Sequence, residues 1–307
     1  MRISDYINHQ IAHEIYRGAS LAIYQDGKWQ ESYFGTQDGI EPVRENLIYD
    51  LASVSKVVGV GTVMIQLLAS GQMSLDDSLV TYYPPFHDGR VTLRQLVTHT
   101  SGIDPFIPNR NQLSKKELIA AIDRIRVTDN KRFRYTDINF ILLGFMLEAY
   151  FGESLAAIFK KRVFDPFGIT HTRFGPVHGA VPTQKGAVAG IVHDPKAKVL
   201  GDDTGSAGLF SNLADLEVFV EHYLSDRVFD GLTKNVSLSC EKERAIAWDM
   251  RDGWLLHTGY TGTFILLHQI KQKAFIFLSN RTYDKDEREQ WICDRDALIA
   301  LMMAEED

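Results

Sequence analysis

Ser53 and Lys56 are the two residues of this 307-residue chain whose types and spacing most directly suggest chemistry. They lie three positions apart at the start of a predicted helix, so their side chains share one helix face. A lysine in the first helical turn opposes the positive end of the helix dipole, and the apolar residues after it exclude water. Both effects are expected to lower the pKa of Lys56, which would make it a base for the Ser53 hydroxyl. Backbone N–H groups at the same helix start can stabilise an oxyanion.

The pair also has a purely structural interpretation, in which Ser53 caps the helix and Lys56 extends to solvent. A second pair with the same spacing, Ser239 and Lys242, lies in a polar segment with no apolar helix behind it. We interpret that second pair as structural. The spacing therefore indicates chemistry only together with its surroundings.

The segment behind Lys56, residues 57–69, is apolar in nearly every direction around a helix, which is typical of a buried central helix. Glycine, threonine and glutamine interrupt it, and it is shorter than the roughly 20 residues that span a bilayer. We therefore predict no transmembrane segment. The N-terminal residues lack the basic start and long apolar stretch of a secretory signal, so we predict a cytoplasmic protein.

Composition narrows the classes of partner. The chain is 45% hydrophobic and 24% charged, with a formal net charge of −7, as in an ordinary globular protein. Because it has no basic cluster along the sequence, nucleic acid is not expected, and a small-molecule or peptide substrate is. Cys240 and Cys293 are far apart and match no metal-ligand spacing, so we predict neither a disulfide framework nor a metal site. The sequence does not indicate an oligomeric state.

The elements that must position Ser53 change type along the chain. Residues 19–25 and 28–34 have strand patterns on either side of Asp26-Gly27, which is a strong hairpin signal. The middle of the chain is mostly helical, and a long loop region at 176–208 is expected to line the site. The C-terminal third predicts an antiparallel meander and then a helix, at residues 253–257, 263–269, 273–279 and 286–304.

We therefore predict an α+β fold in which one antiparallel sheet is built from both chain ends, with flanking helices and an inserted, mostly helical region. The sheet domain is expected to comprise residues 1–52 plus about 200–307. The helical domain, with its long loops, is expected to comprise about 53–199. The active site is expected at the interface of the two.

Two later segments extend the pattern of Ser53-Val-Ser-Lys56. Tyr135-Thr136-Asp137 opens a predicted helix, and His257-Thr258-Gly259 ends a predicted strand. Together the three segments resemble the Ser-x-x-Lys, Tyr-x-Asn and Lys-Thr-Gly motifs of the serine β-lactamase and penicillin-binding protein superfamily. Their order and separation are similar to those in class C β-lactamases, D-alanyl-D-alanine carboxypeptidases and related esterases. The resemblance runs from about residue 5 to 305.

The resemblance implies a role for each matching residue. Ser53 would attack a carbonyl carbon and form an acyl-enzyme, while Lys56 and Tyr135 share the base role. The backbone N–H groups of Ser53 and Tyr260 would form the oxyanion hole. The substrate-binding residues would be Asp137, His257, Thr258 and Gly259. The resemblance implies no cofactor and no metal.

Asp137 and His257 depart from the family pattern, which has asparagine and lysine there. An added carboxylate should favour the ammonium form of Lys56 and repel anions, and a histidine is mostly uncharged at neutral pH. We therefore expect weak β-lactamase activity at best and favour a neutral ester or amide, within the broader expectation of a serine hydrolase that acts on a small ester, amide or D-amino-acid peptide. The alternatives are a penicillin-binding protein that deacylates slowly, and a catalytically silent protein of the same fold that binds a small ligand or cell-wall fragment.

Overall fold

The computed structural model describes residues 2–201 and 203–305 of the chain. Its strands, in chain order, are β1 Gly18–Gln25, β2 Lys28–Gly35, β3 Tyr49–Asp50, β4 Arg173–Phe174, β5 Leu209–Ser211, β6 Asp249–Arg251, β7 Trp254–Thr258, β8 Phe264–His268 and β9 Lys273–Ser279. Six of them form one antiparallel sheet in the order β2-β1-β9-β8-β7-β6. Strands from the two chain ends therefore pair with each other, as the sequence predicts.

The hairpin between β1 and β2 has the geometry that its sequence dictates. Asp26 and Gly27 have φ values of 54° and 75°, the left-handed conformation that a two-residue type I′ turn requires at both positions. Along β1, successive side chains alternate between the faces of the sheet. Leu21 packs with one hydrophobic cluster and Ala22 with another, because the side-chain period of a strand is two.

The helices surround this sheet and fill the middle of the chain. Their bounds are α1 Ile3–Ala12, α2 Thr62–Ala69, α3 Leu79–Tyr82, α4 Leu93–Val97, α5 Lys115–Asp123, α6 Asp137–Phe151, α7 Leu155–Phe159, α8 Asp165–Phe167, α9 Pro195–Leu200, α10 Leu213–Ser225 and α11 Arg288–Met303. The first and last, α1 and α11, pack on each other and on one sheet face through residues such as Ile7, Trp291 and Leu298. On the opposite face, α10 packs against β1, β8 and β9.

The segment that carries Ser53 begins with a 3₁₀ turn, Ala52–Val54, continues through a π-helical turn, Val57–Gly61, and ends as α2. Its apolar side chains from Val57 to Leu67 are buried on all sides, which confirms the predicted central helix. Gly59 lies against the ring of Phe159, where a Cβ would approach to 2.3 Å. A glycine therefore permits the close contact between the central helix and its neighbour.

Two helical segments of the described chain are apolar and long enough to cross a membrane by length and composition. One is Ala52–Ala69, and the other is the bent pair Asp137–Phe151 and Leu155–Phe167. The first is 78% buried by the rest of the fold, as expected for the central helix of a globular core.

Some element boundaries differ from those that the sequence predicts. The helix from α7 continues through a π-helical turn, Lys160–Phe164, into α8, which contains Pro166 and ends at Phe167. The loop region 176–208 contains the short helix α9. A small sheet with the order β3-β5-β4 is not predicted, since strands of two or three residues have no readable period. The predicted final helix begins two residues later, at Arg288.

One large hydrophobic cluster joins the two predicted domains. It includes Ala22 and Ile276 of the sheet together with Val57 and Phe140 of the helical region. The division into two domains stays a prediction. The Ser53 segment lies where these parts meet, since its 3₁₀ turn contacts β7.

Candidate active site

Ser53 is presented by a tightly bonded turn between β3 and the central helix. Ala52, the residue before it, has a φ of 46°, which is uncommon for a residue with a Cβ. The buried carboxylate of Asp50 accepts the backbone N–H of Ala52 at 2.8 Å and that of His193 at 2.7 Å. Burial raises the pKa of Asp50 to about 6. Asp50 therefore connects the Ser53 turn to the 176–208 region.

Lys56 is completely buried and its ammonium group contacts three oxygen atoms. The Nζ atom lies 2.8 Å from Ser53 Oγ, 2.8 Å from Asp137 Oδ1 and 2.9 Å from the Ser206 carbonyl oxygen. These contacts confirm that Ser53 and Lys56 form a pair, and they exclude the interpretation in which Lys56 extends to solvent.

The predicted lowering of the Lys56 pKa is wrong. Burial does lower it, but the negative charge of Asp137 and the nearby Tyr135 outweigh burial and raise the pKa above its ordinary value. The expectation of a lowered pKa rested on the helix dipole and desolvation alone. In the structure the Asp137 carboxylate lies 2.8 Å from Lys56 Nζ and, with Tyr135, has the larger combined effect. At neutral pH Lys56 is an ammonium that donates to the Ser53 hydroxyl oxygen.

Asp137 lies between two lysines and is not an isolated negative charge. It begins α6, whose N-cap is Thr136. Its second oxygen lies 2.9 Å from Lys196 Nζ, and Lys196 also contacts Asp194 at 3.0 Å. Burial alone would raise the pKa of Asp137, but Lys56 and Lys196 together hold it below its ordinary value. Because two cations neutralise it, Asp137 does not give the site the anion-repelling character that the sequence suggests.

Lys196 is a residue of the site that the sequence does not single out. It lies on α9, within the loop region predicted to line the site, and is 8% exposed. The only signal for it is its place in that region, since no motif includes it.

Tyr135 reaches the site from the segment before α6 and is 43% exposed. Its ring centroid lies 5.2 Å from Lys56 Nζ and 4.4 Å from the ring centroid of His99. His99 is buried and has a φ of 58°. Its Nδ1 faces the backbone N–H of Thr136 at 3.4 Å and the side-chain amide of Asn139 at 3.1 Å. His99 therefore has a structural role, and it supports the ring of Tyr135.

The end of β7 approaches the Ser53 turn closely. A Cβ on Gly259 would lie 2.6 Å from the Leu51 carbonyl oxygen and 2.1 Å from Thr263 Oγ1. The hydroxyls of Thr261 and Thr263 donate to the carbonyls of Asp50 and Leu51 at 2.8 and 3.0 Å. These bonds fix the turn after β7, which carries Tyr260, against the segment that carries the nucleophile candidate.

Tyr260 and Ser53 line the walls of the same two cavities, which have volumes of about 270 and 530 Å³. The Tyr260 side chain donates to Asp286, its carbonyl accepts Arg281 Nε at 2.8 Å, and its ring stacks on His193. The residue whose backbone N–H is predicted to complete the oxyanion hole is therefore held on three sides.

His257 and Thr258 lie on the side of the smaller cavity. His257 is 4% exposed, and burial, followed by the positive charges of Lys56 and Arg244, lowers its pKa well below the ordinary value. His257 is therefore neutral, as the sequence predicts. Thr258 Oγ1 accepts a hydrogen bond from Arg295 at 3.3 Å, and Arg295 is a second residue of the site that no motif indicates.

The structure therefore brings all eight sequence-predicted site residues to one cleft. Seven of them line the two cavities, and the eighth, Lys56, lies beneath Ser53: Ser53, Lys56, Tyr135, Asp137, His257, Thr258, Gly259 and Tyr260. Within residues 2–201 and 203–305, no cluster of three or more His, Cys, Asp or Glu side chains could hold a metal ion. The fold and the site together define a hydrolase of the serine β-lactamase and penicillin-binding protein type.

Comparison with known proteins supports this class. The sequence profile of the Beta-lactamase family matches residues 3–299, so the chain belongs to the Beta-lactamase family. A curated relative from Escherichia coli O157:H7, named "Putative D-alanyl-D-alanine carboxypeptidase", is 26% identical over 343 residues. The match covers 87% of this chain and 79% of the relative.

Solved structures share the fold at lower identity. The "Beta-Lactamase/D-Alanine Carboxypeptidase" of Pseudomonas syringae superposes with a TM-score of 0.77 at 18% identity, covering 99% of this chain and 98% of its own. "EstCE1, a hydrolase with promiscuous acyltransferase activity", has a TM-score of 0.77 at 17% identity, covering 96% and 97%. The α+β, β-lactamase-like fold expected from the sequence is thereby confirmed.

Proposed function

We propose that the protein is a serine hydrolase that forms an acyl-enzyme through Ser53 and acts on a small ester, amide or D-amino-acid peptide. The observation that carries the proposal is the 2.8 Å contact between Lys56 Nζ and Ser53 Oγ, made by a lysine that is completely buried. Burying a charged lysine costs free energy unless the ammonium group is paired and hydrogen-bonded, and one of the groups bonded to Lys56 is the Ser53 hydroxyl. The names of the relatives agree with hydrolysis of such bonds.

The contacts of Lys56 suggest how the base role is divided. An ammonium has three N–H donors, and Ser53, Asp137 and Ser206 accept all three. Lys56 therefore has no lone pair for the Ser53 proton in the resting state. We assign relay of that proton to the Tyr135 hydroxyl, which takes the proton of Ser53 as it gives its own to the leaving group, while the Lys56 ammonium stabilises the negative charge that develops on the oxygens exchanging the proton.

In the first step, Ser53 Oγ bonds to the carbonyl carbon and the bond to the leaving group breaks. The proton of Ser53 passes through Tyr135 to the leaving alcohol or amine. In the second step, water gives a proton to Tyr135, attacks the acyl carbon and releases the acid, and Ser53 regains its proton. The backbone N–H groups of Ser53 and Tyr260 stabilise the oxyanion in both steps.

Three reporter compounds distinguish this function from its alternatives. The protein, its Ser53→Ala variant and a Ser239→Ala control are each incubated with a chromogenic short-chain ester, nitrocefin and a fluorescent penicillin, and turnover and intact mass are recorded. Ser239 is a matched control because it has the same spacing to a lysine but lines neither cavity.

Ester turnover that Ser53→Ala abolishes and Ser239→Ala retains supports the hydrolase. A stable penicillin adduct without turnover would instead identify a penicillin-binding protein with slow deacylation. Absence of both adduct and turnover with all three compounds would favour a silent binding protein and contradict the proposal.

A further inference from the structure

One wall of the smaller cavity beside Ser53 is strongly basic. We call this 270 Å³ cavity the basic basin. Six basic side chains line it, together with a single acidic one, Asp249: Lys242, Arg244, Arg251, Arg281, Arg288 and Arg295. The chain as a whole has a net charge of −7, so this concentration of positive charge is local to the cleft.

Too few carboxylates lie near these side chains to neutralise them. Asp249 is shared, because it contacts Lys242 at 3.0 Å and Arg251 at 3.3 Å. Arg244 forms a third ion pair with the same carboxylate, with its Nη1 atom 3.6 Å from Asp249 Oδ1. One negative charge therefore serves three positive ones.

The remaining three arginines have two carboxylates between them. Arg281 contacts Asp286, and Arg295 contacts Asp296 at 2.8 Å. Asp296 is itself shared with Arg251. Arg288, exposed at the rim, makes no ion pair or hydrogen bond within the described residues. Six cations thus face three carboxylates, which leaves an excess of three positive charges.

Two of these cations are buried, so the excess positive charge lowers the stability of the folded protein. Arg244 and Arg281 are 3% and 4% exposed. In the described part of the chain, Arg244 Nε and Arg281 Nη2 have no hydrogen-bond acceptor. A buried charge that is incompletely paired destabilises the fold, so an anion in the basin would offset a cost already present. Burial, and after it the positive charges of Lys56 and Arg244, lower the pKa of the neighbouring His257, so this histidine adds no positive charge to the basin.

We infer that the basic basin binds a substrate group carrying two negative charges, adjacent to the bond that Ser53 attacks. One charge would leave two of the three excess cations unmatched. Two charges would supply one for each of the two buried arginines that have an unpaired donor, Arg244 and Arg281, and would leave the remaining excess at the exposed Arg288, where water solvates it. Two carboxylates or one phosphate monoester supply this chemistry equally. The inference rests on the proposed function, and it replaces the expectation of a neutral substrate, since Asp137 is neutralised by its two lysines.

Binding of product-like compounds tests the charge requirement without needing catalysis. Benzamide, benzoate, isophthalate and phenyl phosphate are titrated calorimetrically against the Ser53→Ala protein at pH 8, where phenyl phosphate is a dianion. Each added negative charge is expected to tighten binding on the order of tenfold, as for hydrogen bonds to charged groups. Raising the ionic strength from about 0.05 to about 1 M should reduce the difference, because salt screens the exposed members of the basin.

Arginine variants locate the effect. In the Arg288→Gln/Arg295→Gln protein, the ratio of isophthalate to benzamide affinity should fall on the order of tenfold or more. The same substitution at Arg124, which lines neither cavity, should leave the ratio unchanged. Binding of isophthalate or of phenyl phosphate that is tighter than binding of benzoate supports the inference. The tighter of the two identifies whether the basin prefers two carboxylates or a phosphate. Equal or weaker binding of both than of benzoate would overturn it, as would a ratio insensitive to the double substitution.

A turnover series separates this inference from the proposed function. Phenyl acetate, 3-acetoxybenzoate and 5-acetoxyisophthalate share one acyl group and differ by one charge each, and monophenyl succinate places a charge on the acyl side. Turnover that rises neither along the three acetate esters nor from phenyl acetate to monophenyl succinate would refute the dianion while leaving the hydrolase intact. Charge-dependent binding without turnover or adduct would refute the hydrolase and leave the basin as an anion site.

Discussion

Replacing Asp137 with asparagine removes the charge that holds Lys56 as an ammonium. Lys56 Nζ and Asp137 Oδ1 are 2.8 Å apart, with side chains 0% and 23% exposed. Two unit charges about 4 Å apart attract by about 4 kcal/mol at an effective dielectric constant of about 20. Because one pKa unit corresponds to about 1.36 kcal/mol, Asp137→Asn should lower the pKa of Lys56 by about three units. Burial already favours the neutral amine in the wild type, and in the variant the charge of Asp137 no longer offsets it.

The pair also stabilises the fold over a defined pH range. Lys56 has a raised pKa, so its contribution is complete below about pH 10 and is lost as pH rises through the higher folded value. Asp137 has a lowered pKa, so its contribution is complete above about pH 4 and is lost as pH falls through the lower folded value. At pH 7 the variant should lose about 3 kcal/mol, the low end for breaking a buried pair, because asparagine still offers a carbonyl.

Urea unfolding at pH 7 and the pH dependence of kcat/KM for a chromogenic ester measure the two effects. The variant profile should gain an ionisation on its alkaline side that the wild-type profile lacks, because loss of the Asp137 charge lowers the pKa of Lys56. Asp129→Asn is the control, since Asp129 pairs with Arg90 at 93% exposure and should change stability by less than about 1 kcal/mol. An unchanged unfolding free energy together with an unchanged pH profile would refute the assignment of Lys56 as an ammonium held by Asp137.

Three further substitutions test the supports of the site. Because the folded pKa of Asp50 is about 6, its carboxyl favours the folded state less as pH rises from about 4 to 6. Asp50→Asn should remove that loss, about 3 kcal/mol in urea unfolding. Gly259→Ala places a Cβ 2.6 Å from the Leu51 carbonyl, which should displace the oxyanion donor and lower kcat by about 10²–10³-fold. Tyr135→Phe keeps the ring against His99 but removes the proton acceptor, so kcat should fall by about 10²–10⁴-fold.

Each of these outcomes has a control or a contrary result. Gly89→Ala is matched to Gly259→Ala, because a Cβ there meets only Val80 at an ordinary 3.6 Å, and it should keep full turnover. Wild-type kcat in Gly259→Ala would show that the turn after β7 does not position the oxyanion donor. A Tyr135→Phe variant with wild-type kcat would assign the proton to another group, and parallel pH–stability curves for Asp50→Asn and wild type would contradict a raised pKa at Asp50.

The sequence predicts the elements whose signals are local and long. The Asp26-Gly27 hairpin, the all-apolar central helix and the strands at both chain ends each follow from their own residues, and the structure confirms all of them. The short strands β4 and β5, and the small sheet that they form with β3, are not predicted, because two or three residues establish no period and their pairing depends on distant partners. The predicted cytoplasmic location stays a prediction.

At the site, the sequence identifies the residues that motifs contain and misses those that only the fold brings near. Lys196 approaches Asp137 from 59 positions along the chain, at 2.9 Å, and together with Lys56 it neutralises that carboxylate. The basic basin draws on residues from 242 to 295 that are scattered along the sequence, so composition and charge runs do not reveal it. Charge balance in a cleft is a property of the fold, and for this reason the sequence argument for a neutral substrate counted the Asp137 carboxylate without its two lysine partners.

Identification of the acylated residue tests the central claim most directly. A chromogenic short-chain ester is mixed with the protein, the reaction is acid-quenched within the first turnover, and the digest is mapped by mass spectrometry. The account predicts an acyl group on the peptide that contains Ser53, at Ser53 itself, and none in Ser53→Ala. An acyl group on another residue, or a Ser53→Ala protein that hydrolyses the ester at the wild-type rate, would contradict it.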